Sequence, residues 1–505
     1  METLQRLHNR GSISTGPYQI DNSLKFDSGN SEYLYITRDT SGSDWNRLKW
    51  TASMWVKHMP TESSATAPKE RMFGASDTQS DFDIRFRGQP LGFRNNSDVD
   101  GVGELRTTAV FRDYSAWMHV VAVWDTANAT AGNRMRLYVN GEEITDFSTD
   151  TQPSQNEKSI WGKKNDGTDG NVVHAIGCQV NASTGFTQGF NGYMAEIHWV
   201  EGEALAPSDF GETDSDTNIW IPKEYTGSYG TNGFYLDFSN SGSLGADASG
   251  NGNNWTLNNI AAADQSTDTP TNNFATLNIL FPYSATAGAN PLFSEGATVL
   301  TTQQSGYWHN SVSTIAVTSG KWYFEAQPGT SSTHVTAIGY GDEEDVYTWG
   351  VATSHVGASS TKSFAYLGSD TAGSSYGRIF PGDSSPSTRV NYTNSNIVGV
   401  AIDADNGYVY WSKDGTFINS GDPTSGSSGT GGYAVPSGTG TNGILIPSIA
   451  AYHHTSLGKL FINFGGYTTI SISSSASDAN GYGTFEYAPP TGYYALCTKN
   501  LADYG

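Results

Sequence analysis

Apolar and polar residues alternate along most of this chain, while the three-to-four-residue spacing of amphipathic helices is nearly absent. Phe82, Ile84 and Phe86 alternate with Asp83, Arg85 and Arg87, which reads as a half-buried strand with one wet face. Met135, Leu137 and Val139 point inward in the same way over residues 134–139. Asn140-Gly141 follows, a strong hairpin signal because both residues tolerate positive φ. Residues 117–124 are apolar at nearly every position, as in a strand covered on both faces. With 58 Gly and 12% aromatic residues against 15% charged, the 505-residue chain suits sheets joined by many turns. The expected fold class is all-β.

The charge balance narrows the partners. Lys plus Arg number 27 and Asp plus Glu 50, a formal charge of −23, which argues against nucleic acid and against an anionic membrane face. No apolar stretch approaches the ~18 residues that span a bilayer, so no membrane insertion is expected. The start, METLQRLHNRGSIS, lacks the apolar core of a secretory signal. Cys178 and Cys497 are expected as free thiols, in a chain folded in a reducing cytosol. The organisation reads as an N-terminal arm (1–20), a sandwich (21–262), a linker rich in Thr, Asn, Asp and Ala (263–300), a second sandwich (301–475) and a C-terminal tail (476–505). Within the second block, residues 421–443 read as a long mobile loop of Gly, Ser, Thr and Pro.

A family resemblance rests on specific segments. SLKFDSGNSEYL (23–34), WTASMWVK (50–57), FRDYSAWMHVVAVWD (111–125), NRMRLYVNGEEI (133–144), FNGYMAEIHWVEGEALAPSDFG (190–211) and DASGNGNNWT (247–256) resemble a laminin-G, concanavalin A-like jelly roll. GKWYFEA (320–326), AIGYG (337–341), VGVAIDADNGYVYWSKDGTFI (398–418), LIPSIAAY (445–452) and KLFINFGG (459–466) resemble a SPRY domain. The tandem order, closed by FEYAPPTGYYALCTKNL (485–501), is similar to large structural proteins of marine bacteriophages, tail fibres and other virion appendages. That resemblance implies two tandem concanavalin A-like sandwiches in a virion protein made in the host cytoplasm. The partners it implies are other virion proteins, met through the N-terminal arm, and a host surface glycan. A homo-oligomer, such as a trimer, is also expected. An architectural head-decoration or fibre-connecting subunit is the alternative.

Candidate sites follow from side-chain chemistry. Sugar recognition uses aromatic faces beside Asn, Asp and Gly in loops, which selects Trp161 in IWGKKNDGTDG and Tyr347 and Trp349 in YGDEEDVYTWG. Glu196-Ile197-His198-Trp199-Val200-Glu201 resembles the carboxylate strand of laminarinase-type glucanases, where a retaining pair stands ~5–5.5 Å apart. His198 replaces the central Asp of that pattern, so no enzyme activity is expected. Asp247, Ser249, Asn251 and Asn253, and Asp403 with Asp405, supply too few carboxylates for calcium and read as structural turns. The adjacent His453 and His454 do not form a zinc site on their own. No cofactor, metal or catalytic residue is expected.

Overall fold

The computed structural model describes the chain outside residues 1–17, 38–42, 61–68, 78–79, 98–100, 166–171, 182–184, 281–289, 330–334, 343–353, 359–361, 370–376, 381–389, 436–442 and 454–456. The fold is all-β, and among the described residues the one α-helix is Thr498–Tyr504. The chain forms two compact units, one ending at Asn272 and the next beginning at Asn273.

Among the described residues, the first unit is a sandwich of two eight-stranded antiparallel sheets. One sheet runs, in order, Glu142–Glu143, Met135–Val139, Met118–Asp125, Lys49–His58, Gly192–Glu201, Ser23–Phe26 and Gln265–Ser266, with Phe234–Leu236 also paired to Gly192–Glu201. The other runs Phe147–Thr151, Gly101–Val110, Pro90–Ser97, Asp81–Arg87, Lys69–Ser76, Val173–Ile176, Tyr33–Thr37 and Thr256–Asn258. Alternation puts Phe82, Ile84 and Phe86 of one sheet against Trp50, Ala52 and Met54 of the other in a shared core. Asp81–Arg87 forms over the residues that the alternation selects. Met118–Asp125 is buried on both faces, as the nearly continuous apolar run over residues 117–124 implies. The Asn140-Gly141 turn has φ of 49° and 85°, the double left-handed geometry of a tight hairpin.

Among the described residues, the second unit has a nine-stranded and a five-stranded sheet. The larger contains Leu292–Ser294, Val299–Thr301, Lys459–Asn463, Lys321–Pro328, Val398–Asp403, Tyr408–Lys413 and Thr416–Phe417, with Tyr433–Ala434 and Tyr494–Ala495 off that path. The smaller runs Trp308–Val312, Leu445–Tyr452, Val335–Asp342, Phe364–Ser369 and Arg378–Phe380.

Segments expected outside the sandwiches are partly inside them. Of the arm, Ile20 is buried, and its N–H donates to Thr271 Oγ1 at 3.0 Å. The expected linker is divided: Gln265–Ser266 pairs with Ser23 and Leu24, whereas Leu292–Ser294 pairs with Val299–Thr301. The expected tail is structural, because Tyr494–Ala495 runs parallel to Trp322 and Tyr323, and Phe485 is fully buried. The loop at 421–443 contains a 3-10 turn, Pro423–Ser428, and a strand, Tyr433–Ala434, and its residues 436–442 lie outside the described residues. Local composition does not mark these segments because backbone pairing with other strands, not hydropathy, holds them. Cys178 and Cys497 are free thiols, each buried. Among the described residues no helix is long and apolar enough to cross a membrane.

Candidate functional site

The strand Gly192–Glu201 lies in the middle of its sheet and slips register against Lys49–His58 between Ala195 and His198. Glu196 takes φ of 49° at this bulge, a conformation that costs a side-chain-bearing residue of order 1–3 kcal/mol. Ile197 and Trp199 stay in the core. Glu196 and His198 lie together off the core, with His198 Nε2 at 3.4 Å from Glu196 Oε2.

Tyrosines surround this pair. Tyr18 donates its hydroxyl to Glu196 Oε2 at 2.7 Å, and Tyr235 donates to Oε1 at 2.5 Å. Tyr229 Oη is 2.8 Å from His198 Nδ1. The two ring nitrogens of His198 thus face the Glu196 carboxylate and the Tyr229 hydroxyl. Tyr235 stacks on His198 at 4.4 Å and 6°, and Tyr225 stacks on Phe210 at 4.9 Å. Burial, then the Glu196 charge, pushes the Tyr18, Tyr229 and Tyr235 hydroxyls well above their ordinary range, so all three remain protonated donors. Glu196 is 6% and His198 3% exposed, while Tyr18, Tyr225, Tyr229 and Tyr235 are half-buried. The arrangement offers ring surface and hydroxyls around a charged acceptor.

Glu201 does not join this site. It pairs with Trp50 at the end of a regular stretch that begins at His198 opposite Ser53, so alternation sends it to the opposite face from His198. Its carboxylate accepts from Asn46 N at 2.7 Å and from Asn232 N and Nδ2 at 2.9 Å. It ties two loops to the strand end. The two carboxylates of the glucanase-like pattern thus serve separate structures.

A serine–histidine contact also occurs in this sheet, between Ser53 Oγ and His119 Nε2 at 2.8 Å. Trp220 Nε1 donates to His119 Nδ1 at 3.0 Å, the position where a catalytic triad carries an acceptor. Burial, with the His198 charge adding to it, lowers the His119 pKa to about 3. The neutral ring therefore carries its proton on Nε2 and donates to Ser53, so it does not serve as that hydroxyl's base.

The residues selected from sequence fare differently. Trp161 is 0% exposed and is a core residue, with Phe73, Phe82, His174 and Trp255 around its ring. This corrects the expectation of a sugar-stacking loop. Gly162, at φ 89°, turns the chain, and its N–H donates to His174 Nε2, holding the indole inward. Tyr347 and Trp349 lie outside the described residues, as does His454, while His453 is buried. Asp247 accepts from the N–H of Tyr235, Ser249 and Asn253, so its oxygens organise a turn. Asp403 likewise holds Asn406 N and Lys321 Nζ, and Asp405 holds Gly320 N. Among the described residues no group of three or more His, Cys, Asp or Glu is placed to hold a metal ion.

Sequence reasoning missed Tyr18, Phe210, Tyr225, Tyr229 and Tyr235. The signal was present in EYTGSYGTNGFY (224–235), where tyrosines alternate with Gly, Ser, Thr and Asn.

Residues 28–207 match a laminin-G-type family model described as the concanavalin A-like lectin/glucanases superfamily. The first sandwich is concanavalin A-like. The match includes Glu196 and His198 and ends before Phe210, Tyr225, Tyr229 and Tyr235. No curated protein matches the chain. Among solved structures, the chain is similar to the SPRY domain of human HERC1, at 15% identity and TM-score 0.24, over 34% of this chain and 91% of that one. It is similar to the CBM40 of the Ruminococcus gnavus IT-sialidase at 14% identity and TM-score 0.24, over 38% and 96%. It is also similar to domain 4 of AbnA, a GH43 extracellular arabinanase from Geobacillus stearothermophilus, at 20% identity and TM-score 0.23, over 34% and 69%.

Proposed function

We propose that this chain binds glycans without cleaving them, as an attachment protein of a phage virion appendage. The observation that carries the binding reading is the tyrosine-rich site at Glu196. Half-buried rings give apolar contact to sugar faces, and hydroxyls beside a fixed carboxylate give directional hydrogen bonds. Binding without turnover is favoured because Glu201, the second carboxylate of the motif, is committed to Asn46 and Asn232. The appendage assignment is supported by the tandem sandwich order and by the resemblance of residues 485–501 to virion proteins. Several copies on one particle convert weak single-site affinity into firm attachment.

A glycan array on the whole chain tests the binding reading. Tyr225→Ala is expected to weaken any neutral glycan hit about tenfold, a loss of ~1.4 kcal/mol, with an unchanged melting temperature. An array without hits favours the architectural alternative. Endoglucanase turnover that disappears in Glu196→Gln would overturn the non-catalytic assignment. Immunogold labelling of particles tests the location.

A further inference from the structure

The outer face of the second sheet of the first sandwich differs in charge from the rest of the chain. Phe82, Ile84, Phe86, Leu91, Phe93 and Leu105 occupy the core, so the residues between them point away from it. Arg71 pairs with Arg85, Lys69 with Arg87, Asp83 with Arg94, Arg94 with Glu104, and Gly92 with Arg106. Across these four strands the outer face holds Lys69, Arg71, Arg85, Arg87, Arg94 and Arg106 against Asp81, Asp83 and Glu104. That is a net of +3 on a chain of −23.

The carboxylates do not satisfy the guanidinium groups. Asp83 accepts from Arg85 at 2.5 Å, Arg71 at 3.1 Å and Arg94 at 3.2 Å, Asp81 from Arg94 and from Arg71 at 3.3 Å, and Glu104 from Arg85 at 3.5 Å. Among the described residues, Arg71 Nε and Nη1, the Nε atoms of Arg85, Arg94 and Arg106, and Asp83 Oδ1 have no hydrogen-bond partner, and Arg71 is 1% and Arg85 3% exposed. Arginine does not escape such a site by losing its proton. Crowding is felt nearby: burial and then the charges of Arg85, Arg94 and Arg71 lower the Lys69 pKa. A Cβ on the buried Gly92, between Arg85 and Arg106, would stand 3.7 Å from Leu105 O and 3.8 Å from the Arg85 side chain, so a side chain there would lie against Arg85. On the other side, Ser76 Oγ donates to Val180 O, which brings a short hairpin over the sheet as a wall.

We propose that this face binds an acidic polysaccharide, with Arg87, Arg106, Lys69 and Arg94 contacting sulfate or carboxylate groups above the buried Arg71 and Arg85. The anion supplies the counter-charge that three carboxylates do not. Four strands at ~4.8 Å spacing make a face ~14 Å across, room for an extended polyanion to meet several of these charges. Nucleic acid, with one charge per ~1.7 Å of duplex, is repelled more strongly by the acidic remainder of the chain. The inference shares the glycan-binding reading of the tyrosine site only in ligand class, since it rests on other residues in the other sheet.

The test is isothermal titration of the full chain with dextran sulfate, polygalacturonate, neutral dextran and single-stranded DNA. Dextran sulfate or polygalacturonate is expected to bind, with affinity falling as NaCl is raised, and the stronger of the two identifies the anionic group. Arg87→Ser combined with Arg106→Ser is expected to weaken that binding at least tenfold without lowering the melt, because neither side chain joins an ion pair among the described residues. Gly92→Asp, which puts a carboxylate against the Arg85 side chain, is expected to weaken polyanion binding as well. Tyr225→Ala should leave polyanion binding intact, which separates this site from the tyrosine site. Wild-type binding no stronger than to neutral dextran, tighter binding of DNA, or unchanged polyanion affinity in both the arginine and Gly92 variants would overturn the proposal.

Discussion

His119 shows how burial selects a protonation state. Held between Ser53 and Trp220, it remains neutral down to about pH 3, whereas an unfolded histidine takes its proton near ~6.5. The unfolded chain therefore binds the extra proton, and this residue's contribution to stability falls as pH drops from ~6.5 towards 3, by up to ~1.4 kcal/mol per unit. Glu32 acts in the opposite direction. Burial raises its carboxyl to about 7 despite Lys25, so the folded state holds a proton that the unfolded chain releases above ~4.5, and its contribution grows as pH falls through 7. Comparing the wild type with His119→Gln isolates the histidine. Between pH 7 and 5 the wild type is expected to lose ~2 kcal/mol more than the variant in chemical denaturation, and equal losses would show that the ring is charged in the folded state. Trp161 is likewise a buried side chain. Trp161→Ala should destabilise the first unit by ~3–5 kcal/mol, read by its melt, and leave glycan affinity of the folded chain unchanged.

At the scale of elements, turn glycines separate backbone strain from packing. Gly141 has φ of 85°, and a Cβ there would stand 2.5 Å from the Trp220 ring. Gly407 has φ of 72° and nothing within 4 Å of that position. Gly407→Ala should therefore cost only the left-handed penalty, ~1–2 kcal/mol. Gly141→Ala should cost more, because Trp220 must also move and strain its bond to His119. Melting temperatures of the two variants check the order, and a smaller loss at Gly141 would show that Trp220 repacks freely. The Asn140-Gly141 turn was legible from sequence, as were strands such as Asp81–Arg87, because a two-residue period and an Asn-Gly pair are local signals. The tyrosine site was not legible. Tyr18 and Tyr235 reach Glu196 across 178 and 39 residues, and the bulge that presents Glu196 leaves no local pattern. Trp161 misled for the complementary reason. The polar run after it describes the loop, while Gly162 turns the indole back into the core.

For the whole molecule, the last thirty residues decide whether the second unit folds. Glu325 lies fully buried in the strand Lys321–Pro328, and burial raises its pKa. Its carboxylate accepts from Glu486 N at 3.0 Å and Tyr487 N at 2.8 Å, donors that come from the segment composition marks as a tail. Phe485, Tyr493, Ala495 and Cys497 share a core cluster with Phe274 and Tyr323, and Asp478 accepts from Ala495 N and Asn500 Nδ2. Removing residues 476–505 strips two donors from a buried carboxylate, at ~1–3 kcal/mol each, and deletes a buried Phe worth ~3–5 kcal/mol. Those losses together consume much of the ~5–15 kcal/mol that a domain has in hand. No residue of the first sandwich's core comes from that segment. Calorimetry of the chain cut after Ser475 is therefore expected to keep the transition of the first unit and lose that of the second. Two intact transitions would show that the segment decorates a sandwich that folds without it.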